Sequence, residues 1–476
     1  MKLTSNNQKI ERKLKFSIDD SRIVGLVDEI LIPELAVKLG LAIGTFFGKK
    51  SVIATSRDHR SDSHMIKRAL SGGLMATGVD ILDLHAAPTS TLEFIVRRFG
   101  CDGGLSFTGG HYLDGETSIR ILDGSGNELE KTDLEKITEI AELGTYRRVK
   151  KNEIGTIEPI ENAMEVYKNA LATFIDKKVF INKNFRVVLD LSLGPASLSV
   201  PAVFSELNID IISINSHRSN IINKEGVLFP NPLSLKRVSD SVKAVNADIG
   251  AIIDVEGVKV VFVDDKGKIY LPEDTAAFLI YQSLKKRQGN IILSELFTRQ
   301  FDEIIKSVGG QIIRATDLPG DIGRLLNSER AVIGATDNGK IYNPIWGAET
   351  DGALSTLTLL SILALNRRSL SDMMQEFEGM KSKAEIVSRM ESNLTLPDNF
   401  SQLDFFRAVR HKRNFHVRDS LIGIKFTGEK GGICHFYVGS GEREIKVLVE
   451  MNDPSKVEAY LDHCLELAKD VIQSQK

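Results

Sequence analysis

Apolar and polar residues recur along the chain with two periods, which predict helices and strands in alternation. Residues 33–48 have apolar side chains at every third or fourth position, a proline suited to a first helical turn and a final glycine, which together predict a helix. Residues 50–56 form a short apolar run typical of a buried strand, and residues 65–78 return to the helical period. Strands that alternate with helices of this length indicate an α/β fold around a largely parallel sheet.

The same alternation continues in two further blocks and then changes. The second block follows the basic, polar residues 145–155, and the third runs from about Asp274 to Asn366. After about Ser382 the pattern predicts one helix, three strands and a closing helix, which is typical of a small α+β unit. We therefore expect three α/β domains with mixed, largely parallel sheets and a smaller C-terminal α+β domain. The predicted domains are residues 1–150, 151–268, 269–378 and 379–476.

Length, composition and charge narrow the class of protein. The chain has 476 residues, 42% of them hydrophobic and 26% charged, which fits a multidomain globular protein without a membrane-spanning segment. Its formal net charge of -3 argues against a nucleic-acid surface. The polar, basic first residues lack the apolar core of a signal peptide and predict a cytoplasmic protein. Cys101, Cys434 and Cys464 have no metal-ligand spacing and are expected to be buried thiols.

Several segments resemble the α-D-phosphohexomutase family, which includes phosphoglucomutase, phosphomannomutase and phosphoglucosamine mutase. Residues 56–60 (SRDHR) resemble its GRDTR segment, and residues 83–104 resemble DLGIAPTPALYFAVRHLGADGG. The stretches VVFVD and AETDGALSTLTLLSILA, at residues 260–264 and 348–364, add to the likeness. The resemblance covers nearly the whole chain. It implies a four-domain fold and an intramolecular phosphotransferase of carbohydrate metabolism, with one site loop from each domain.

The first site loop lacks the residue that carries the phosphoryl group in this family. Residues 102–122 are similar to DGGxMITASHNPxxYNGIK, and Thr108 and His111 match, but Gly110 occupies the serine position. Glycine cannot form a phosphoester. The family's lysine corresponds to Arg120, which keeps its charge and is a poor general base. Thr108 is either a substitute nucleophile or a strand-end hydroxyl, and His111 either a phosphoryl carrier or a packed histidine.

The second site loop resembles the family's magnesium loop, DGDADR, in a degraded form. Asp254 and Glu256 retain two of the three carboxylates, and Val258 stands at the third position. Magnesium requires a tight octahedral set of oxygen ligands, so we expect no cofactor, and Mg²⁺ is implied only weakly by the resemblance. The alternative is that Asp254 and Glu256 are solvated turn residues with Lys259 as their partner.

The third site loop, residues 334–340, corresponds to the family's GGEESGG segment, whose acidic side chains accept hydrogen bonds from sugar hydroxyls. Asp337 and Asn338 could contact a polyol in the same way. A glycine-bracketed turn rich in Asp and Asn is also typical of a loop that binds nothing, so both interpretations stay open.

The fourth site loop corresponds to the family's phosphate-binding segment, RPSGTEPKIRVYVE. Val438 replaces its leading arginine, and Glu444 adds a negative charge where a phosphate would bind. In the first domain, the segment that resembles FGTDGIRG keeps one cation that could contact an anion. The candidate contacts are Ser440, Gly441, Arg443 and Lys446 for phosphate, and Arg22 for substrate.

These substitutions all affect one reaction, because they remove the nucleophile, the metal ligand, the proton-transfer group and part of the phosphate cradle. The leading hypothesis is a catalytically inactive phosphohexomutase-like protein that regulates or scaffolds a partner protein or binds a sugar phosphate. The alternative is a divergent mutase, phosphatase or isomerase that uses Thr108, His111 or the Asp254–Glu256 pair. A third possibility is a structural subunit of a homo-oligomer. The basic residues 407–413 are either a solvated helix face or a contact for an acidic partner. No nucleic-acid or membrane partner is expected.

Overall fold

A computed structural model shows an α/β protein whose strands form four sheets. The residues that it describes are 17–19, 22–27, 29–109, 116–217, 232–315, 320–347, 350–381, 388–397, 400–411, 418–420, 423–428, 432–438, 443–451 and 453–473. The predicted fold class is confirmed, since three α/β domains precede a smaller α+β domain. In the part of the chain that the model describes, no helix is long and apolar enough to cross a lipid bilayer.

The first domain has a mixed sheet with helices on both sides. Its described strands are β1 (Ser17–Asp19), β2 (Arg22–Leu26), β3 (Val52–Arg57), β4 (Asp80–Ala86), β5 (Gly103–Thr108), β6 (Glu116–Asp123) and β7 (Ile157–Pro159). Its helices are α1 (Pro33–Phe47), α2 (Ser61–Met75), α3 (Thr89–Phe99) and α4 (Lys131–Leu143). The strand order is β1-β2-β6-β5-β3-β4-β7, with β5, β3, β4 and β7 parallel. The sequence predicts the end of the first domain at residue 150. The strand β7 lies after that residue but still belongs to the first sheet.

The second domain has a smaller sheet in the order β11-β10-β8-β9. Its strands are β8 (Arg186–Asp190), β9 (Asp210–Ile214), β10 (Ile249–Ile253) and β11 (Val260–Asp264). Its helices are α5 (Ala163–Phe174), α6 (Val200–Glu206) and α7 (Pro232–Val245). The strands β8, β9 and β10 are parallel, whereas β10 and β11 form an antiparallel hairpin. Residues 254–259, the second site loop, form the turn of this hairpin.

The third domain has the sheet order β13-β12-β14-β15. Its strands are β12 (Gly289–Ser294), β13 (Gly310–Ala315), β14 (Ile333–Ala335) and β15 (Ile341–Tyr342). Its helices are α8 (Pro272–Lys286), α9 (Asp302–Ser307), α10 (Asp321–Ser328), α11 (Gly352–Asn366) and α12 (Leu370–Lys381). Between β12 and β13 the described chain is α-helical only in α9, and the preceding Thr298 N–H donates to the Glu273 carboxylate of α8.

The fourth domain is the predicted α+β unit. Its described strands are β16 (Ser388–Thr395), β17 (Arg418–Ser420), β18 (Gly423–Thr427), β19 (Ile433–Val438) and β20 (Glu444–Met451), and its helices are α13 (Gln402–His411) and α14 (Val457–Gln473). The five strands form an antiparallel sheet in the order β16-β20-β19-β18-β17. Short 3₁₀ helices lie elsewhere in the described chain, at Lys151–Glu153, Lys177–Phe180, Pro195–Leu198 and Pro454–Lys456.

Apolar cores cross the domain boundaries and bring the site loops together. One buried cluster contains Leu189 of the second domain and Leu357 and Phe377 of the third. The hairpin turns of these two domains also meet, because Lys259 and Lys340 form an antiparallel bridge, and the Val260 N–H donates to the Gly339 carbonyl at 3.3 Å. The second and third site loops are therefore in direct backbone contact.

Candidate functional site

Thr108, the candidate substitute nucleophile, ends β5 in a buried position. Its side chain is almost fully covered, and its carbonyl oxygen accepts a hydrogen bond from the Ser118 hydroxyl at 2.8 Å. Both residues are opposite one another in the β5–β6 pair, so the hydrogen bond adds to the ladder between these strands. Gly110 and His111 lie outside the described residues.

A buried arginine supports the beginning of the first loop. Arg60 Nε lies 3.1 Å from Asp58 Oδ2, and the same carboxylate accepts the Gly109 N–H at 2.9 Å. A Cβ atom at position 109 would lie only 2.1 Å from Arg60 Cζ. A larger residue at this position would therefore force the guanidinium, which Asp58 holds, to shift. The SRDHR segment thus has a structural role in the loop, whether or not the loop performs chemistry.

Arg22 and Arg120 lie side by side in the first domain. They are directly opposite each other in the antiparallel pair of β2 and β6, and both side chains are fully buried. Two adjacent buried guanidinium groups need anionic partners, because an uncompensated buried charge is strongly destabilising. Glu256, from the second domain, is a shared partner: Arg22 Nη1 and Nη2 donate to its two oxygens at 2.5 and 2.6 Å, and Arg120 Nη2 lies 3.2 Å from Oε2.

The turn that carries Glu256 is closed by its own first residue. Asp254 Oδ1 accepts the backbone N–H groups of Val258 at 2.7 Å and Lys259 at 2.9 Å. Gly257 has φ of 76°, a left-handed conformation that glycine adopts without steric cost. A Cβ at this position would also meet Ser90 of the first domain. The conformation of this turn therefore brings it into direct contact with the first domain.

The interpretation of Asp254 and Glu256 as solvated turn residues is wrong. Both side chains are buried, at 0% and 1% exposure. The ion pairs of Glu256 reach across to Arg22 and Arg120, more than a hundred residues away along the chain, which no local pattern could indicate. The fold removes this turn from water because the first domain packs over it.

The third loop is also buried, and Asp337 and Asn338 form hydrogen bonds within the third domain. Asp337 Oδ1 accepts a hydrogen bond from the Ser294 hydroxyl at 2.8 Å, and Asn338 Oδ1 accepts one from Thr336 at 2.5 Å. Asp337, Asn338 and Thr336 are each less than 5% exposed. The polar groups that the sequence offers for sugar hydroxyls are therefore engaged by Ser294 of β12 and by Thr336 of the loop.

Lys340 links the third loop to the first domain. Its Nζ lies 2.7 Å from Glu128 Oε1, and the same oxygen lies 3.3 Å from Arg120 Nη1. Glu93 of α3 also lies near Arg120, at 3.8 Å. We call this set of six side chains, contributed by three domains, the central ion cluster. It consists of Arg22, Glu93, Arg120, Glu128, Glu256 and Lys340.

The charges of the central ion cluster balance, with three cations and three carboxylates. All six side chains are nine-tenths or more buried. In such surroundings a charge is stable only when it is paired and hydrogen bonded. The cluster therefore joins the first three domains at the place where their site loops meet.

The described residues of the fourth loop do not show a comparable constellation. Arg443 is exposed, while Lys446 Nζ pairs with Glu391 at 2.9 Å and lies 5.8 Å from the ring centre of Tyr437. Lys446 and Glu391 are both partly exposed and belong to neighbouring strands of the fourth domain. Ser440 and Gly441 lie outside the described residues.

Comparison with known proteins identifies the family. The model of phosphoglucomutase/phosphomannomutase α/β/α domain I matches residues 13–148. A probable phosphoglucosamine mutase of Pyrococcus horikoshii is 30% identical over 344 residues, which are 72% of this chain and 74% of that protein. This chain belongs to the phosphoglucomutase/phosphomannomutase family. A phosphoglucomutase/phosphomannomutase of Thermococcus kodakarensis is 26% identical over 460 residues, 94% of this chain and 97% of the relative.

Solved structures of phosphohexomutases share the fold. A putative phosphomannomutase from Thermus thermophilus has a TM-score of 0.74 at 19% identity and covers 95% of this chain and 99% of its own. Parafusin from Paramecium, a phosphoglucomutase in an open form, has a TM-score of 0.68 at 13% identity, covering 96% and 95%. The four-domain arrangement is therefore that of the family along nearly the whole chain.

In this chain, the loop that corresponds to the family's magnesium loop does not fit magnesium. Val258 has no side-chain oxygen to offer, Asp254 holds backbone N–H groups with one of its oxygens, and Arg22 holds both oxygens of Glu256. Magnesium demands near-ideal octahedral oxygen ligation, and guanidinium groups beside the carboxylate would repel it. Among the described residues there is no group of three or more His, Cys, Asp and Glu side chains placed to hold a metal ion.

The sequence pointed to part of the central ion cluster and missed the rest. Arg22, Arg120 and Glu256 were candidates, each for a different role, whereas Glu93, Glu128 and Lys340 were not. Glu93 had a signal, because it is a carboxylate among the apolar residues of α3 and stands where the family segment has tyrosine. Glu128 had none, since it lies in a short polar stretch between β6 and α4 that is typical of any surface loop.

Proposed function

We propose that this protein is a phosphohexomutase-family member without mutase activity, which serves as a scaffolding or regulatory protein. One observation carries the proposal: the carboxylate that corresponds to a metal ligand, Glu256, is bound on both oxygens by Arg22 and on one by Arg120. Two guanidinium groups thus neutralise the carboxylate that would otherwise be available to a divalent cation. They also cross-link two domains in doing so.

The residues around this contact support the same proposal. Gly110 provides no nucleophile, and the candidate substitute Thr108 is buried. Arg120, in place of a proton-transferring lysine, is a permanent cation paired with carboxylates. Each of these features alone would leave room for chemistry in a modified form, but together with the engaged Glu256 they remove the nucleophile, the proton-transfer group and a metal ligand of the family's reaction.

The burial of the central ion cluster favours action through the surface of the protein over action on a small molecule in the centre. A sugar phosphate would have to separate Arg22 from Glu256 before its own phosphate could pair there, and breaking a buried ion pair is costly. We therefore propose a protein partner or further copies of the chain as the binding partners, with a sugar phosphate as the alternative. A cytoplasmic location and domain boundaries near residues 268 and 378 are part of the same proposal, with the first boundary placed after β7.

A mutase assay tests the proposal directly. Purified protein is incubated with hexose and hexosamine 1-phosphates, a hexose 1,6-bisphosphate and Mg²⁺, and products are followed by chromatography while intact-protein mass spectrometry detects a phosphoprotein. We expect neither 6-phosphate product nor a phosphorylated chain. The Thermococcus kodakarensis relative, assayed in parallel, serves as the positive control. Turnover or a stable phosphoprotein above background contradicts the proposal.

A serine restored at position 110 sharpens the test. In Gly110→Ser we still expect no turnover, because Glu256 remains bound to Arg22 and Val258 still lacks a ligand oxygen. A regained mutase rate would show that only the nucleophile had been lost. If the unmodified protein is active, the single changes Thr108→Ala, His111→Ala and Asp254→Ala identify a divergent enzyme by which of them abolishes the activity.

A further inference from the structure

A group of charged side chains lies at the surface of the first domain, where the parallel strands β3 and β4 end. Arg57 is the last residue of β3, and α2, which packs on both strands, carries His64, Lys67 and Arg68. Arg68 is exposed, Arg57 and His64 are half-buried, and Lys67 is almost fully buried. With two residues of β4 they form what we call the β4 patch: Arg57, His64, Lys67, Arg68, Asp83 and His85. This patch lies outside the central ion cluster and the four site loops.

Asp83 is the carboxylate at the centre of the β4 patch. Lys67 Nζ donates to its Oδ1, as does the backbone N–H of His85 at 2.7 Å, and His85 Nδ1 lies 3.6 Å from Oδ2. Burial raises the pKa of Asp83, but the Lys67 ammonium group outweighs this effect and lowers the pKa. The carboxylate therefore stays ionised and holds both neighbouring side chains in place.

His85 has a backbone conformation that costs energy. Its φ is 58°, in the left-handed region that glycine adopts freely and most other residues avoid. The strand register shifts here, because Thr55 is opposite Asp83 while Arg57 is opposite Ala86, so β4 carries one extra residue. The family segment DLGIAPTP has glycine at this position, whereas this chain has a histidine whose side chain is 61% exposed. The chain therefore presents an imidazole to solvent at the cost of backbone strain, which is typical of binding sites.

Positive charge dominates the β4 patch. Lys67 and Arg68 follow His64 by three and four residues along α2, a spacing that places the three side chains on one face of the helix. Burial lowers the pKa of His64, and the charges of Arg57, Arg68 and Lys67 lower it further. Among the residues of the patch, three cations therefore stand against the one carboxylate of Asp83.

The nearby carboxylates are directed elsewhere. Asp58 and Asp62 both pair with Arg60, at 3.1 Å each. Glu158, on the neighbouring strand β7, is opposite Leu82, whose side chain packs on the other face of the sheet. The β4 patch thus keeps an excess of two positive charges at the surface.

We propose that the β4 patch is a docking surface for a carboxylate-rich segment of a partner protein. Arg57 and Arg68 pair with carboxylates of that segment, and His85, which Asp83 holds at one ring nitrogen, binds a further carboxylate at the other. An imidazole between two carboxylates is stable in its charged form and donates to both. The proposal rests on the proposed function, because it gives the chemistry of the protein partner. The net charge of -3 makes nucleic acid the less suitable partner.

Fluorescence anisotropy with a labelled hexaglutamate peptide tests this surface on the full chain. At low ionic strength we expect saturable binding with a Kd of roughly 0.1–1 mM, which a few exposed ion pairs can supply. Sodium chloride at about 0.2 M should weaken the binding at least threefold by screening. A hexalysine peptide should not bind. Absence of saturation with hexaglutamate up to about 5 mM overturns the proposal.

Two variants and a control locate the peptide on the β4 patch. Arg68→Glu reverses an exposed charge and should weaken binding roughly tenfold, whereas Lys236→Glu, on the exposed face of α7, should change it less than about twofold. His85→Gly removes the backbone strain, so the melting temperature should stay the same or rise, while peptide binding weakens at least about threefold. Equal effects of the two charge reversals, or unchanged binding in His85→Gly, overturn the proposal.

Competitors separate a carboxylate-rich segment from other anions. Inorganic phosphate should displace the peptide only at concentrations where ionic strength alone weakens binding, and a hexathymidylate of similar charge should bind less tightly than hexaglutamate. Displacement by phosphate below about 1 mM, or tighter binding of the oligonucleotide, overturns the assignment to a protein segment. The mutase assay is independent of these measurements: turnover refutes the proposed function whatever the peptide does, and failure of the peptide to bind refutes only the docking surface.

Discussion

Glu256 shows how one residue can change the use of a whole centre. A carboxylate at this point of the hairpin turn would suit a cation, and the fold provides two guanidinium groups instead of a metal ion. The Arg22–Glu256 ion pair is stable because its geometry is bidentate: the two planar guanidinium donors match both carboxylate oxygens. The cost of removing either partner is correspondingly high, since the other is left buried with its charge.

Replacement of this carboxylate tests its structural role. In Glu256→Ala, Arg22 and Arg120 lose their shared partner in a water-excluded place, so we expect the free energy of unfolding to fall by about 3–5 kcal/mol. Denaturation in guanidinium chloride, followed by circular dichroism, measures the change. Asp240→Ala is the matched control, because Asp240 pairs with lysines on the exposed face of α7, and little change is expected there. Equal effects of the two substitutions would contradict a structural role for Glu256.

At the scale of elements, the packing of α1 against α2 depends on glycines. Gly40 and Gly73 face the opposite helix so closely that a Cβ atom at position 40 would lie 2.1 Å from the Leu70 carbonyl oxygen, and one at position 73 would lie 2.3 Å from that of Val37. These are backbone atoms and cannot rotate away. The two helices therefore cross at a distance that only glycine permits, and both are held on the sheet whose strands carry Arg22 and Arg120.

A single methyl group at this crossing is expected to destabilise the first domain. Gly40→Ala should lower the free energy of unfolding by about 1–3 kcal/mol, because the helices have to separate. The same change at Gly72, one position away from Gly73 on α2, meets no atom within 4 Å. Gly72→Ala should therefore be neutral or stabilising by up to about 1 kcal/mol, from helix propensity alone. Thermal and chemical unfolding of both variants gives the comparison, and loss of stability in the control would show that propensity and packing had been misjudged.

For the whole molecule, burial of the loops in the central ion cluster implies insensitivity to the family's ligands. The first three domains contact one another through Glu256, Lys340 and the bridge between the two hairpin turns. The fourth domain is held by a separate buried group centred on Lys425. The central ion cluster and this second group of buried charges are thus in different places.

A ligand-stability measurement checks this expectation. Addition of a hexose 1,6-bisphosphate and Mg²⁺ at millimolar concentration should change the melting temperature by less than about 1 °C, because binding would first require the Arg22–Glu256 pair to open. The Thermococcus kodakarensis relative is the comparison protein. A rise of several degrees in the melting temperature of this chain would instead support the alternative that it binds a sugar phosphate. The mutase assay would then decide whether it also catalyses a reaction.

The sequence alone determined the fold class and the loss of two groups that the family's reaction uses. Periodicity and glycine or proline boundaries are local signals, so α1, β3 and α2 lie where the pattern placed them or within a few residues of it. The sequence also shows directly that Gly110 has no side chain and that Val258 has no carboxylate, since no fold can supply atoms that a residue lacks.

The tertiary structure alone decided what occupies the centre. Arg22 and Glu256 are 234 residues apart, and Lys340 and Glu128 are 212 apart, so no periodicity along the chain relates them. The same holds for Glu273 and Lys425, which meet only because one domain covers the polar face of another's sheet. Local propensity determines where strands and helices form, but the pairing of buried charges depends on which surfaces the domains bring together, and that is a property of the packed chain.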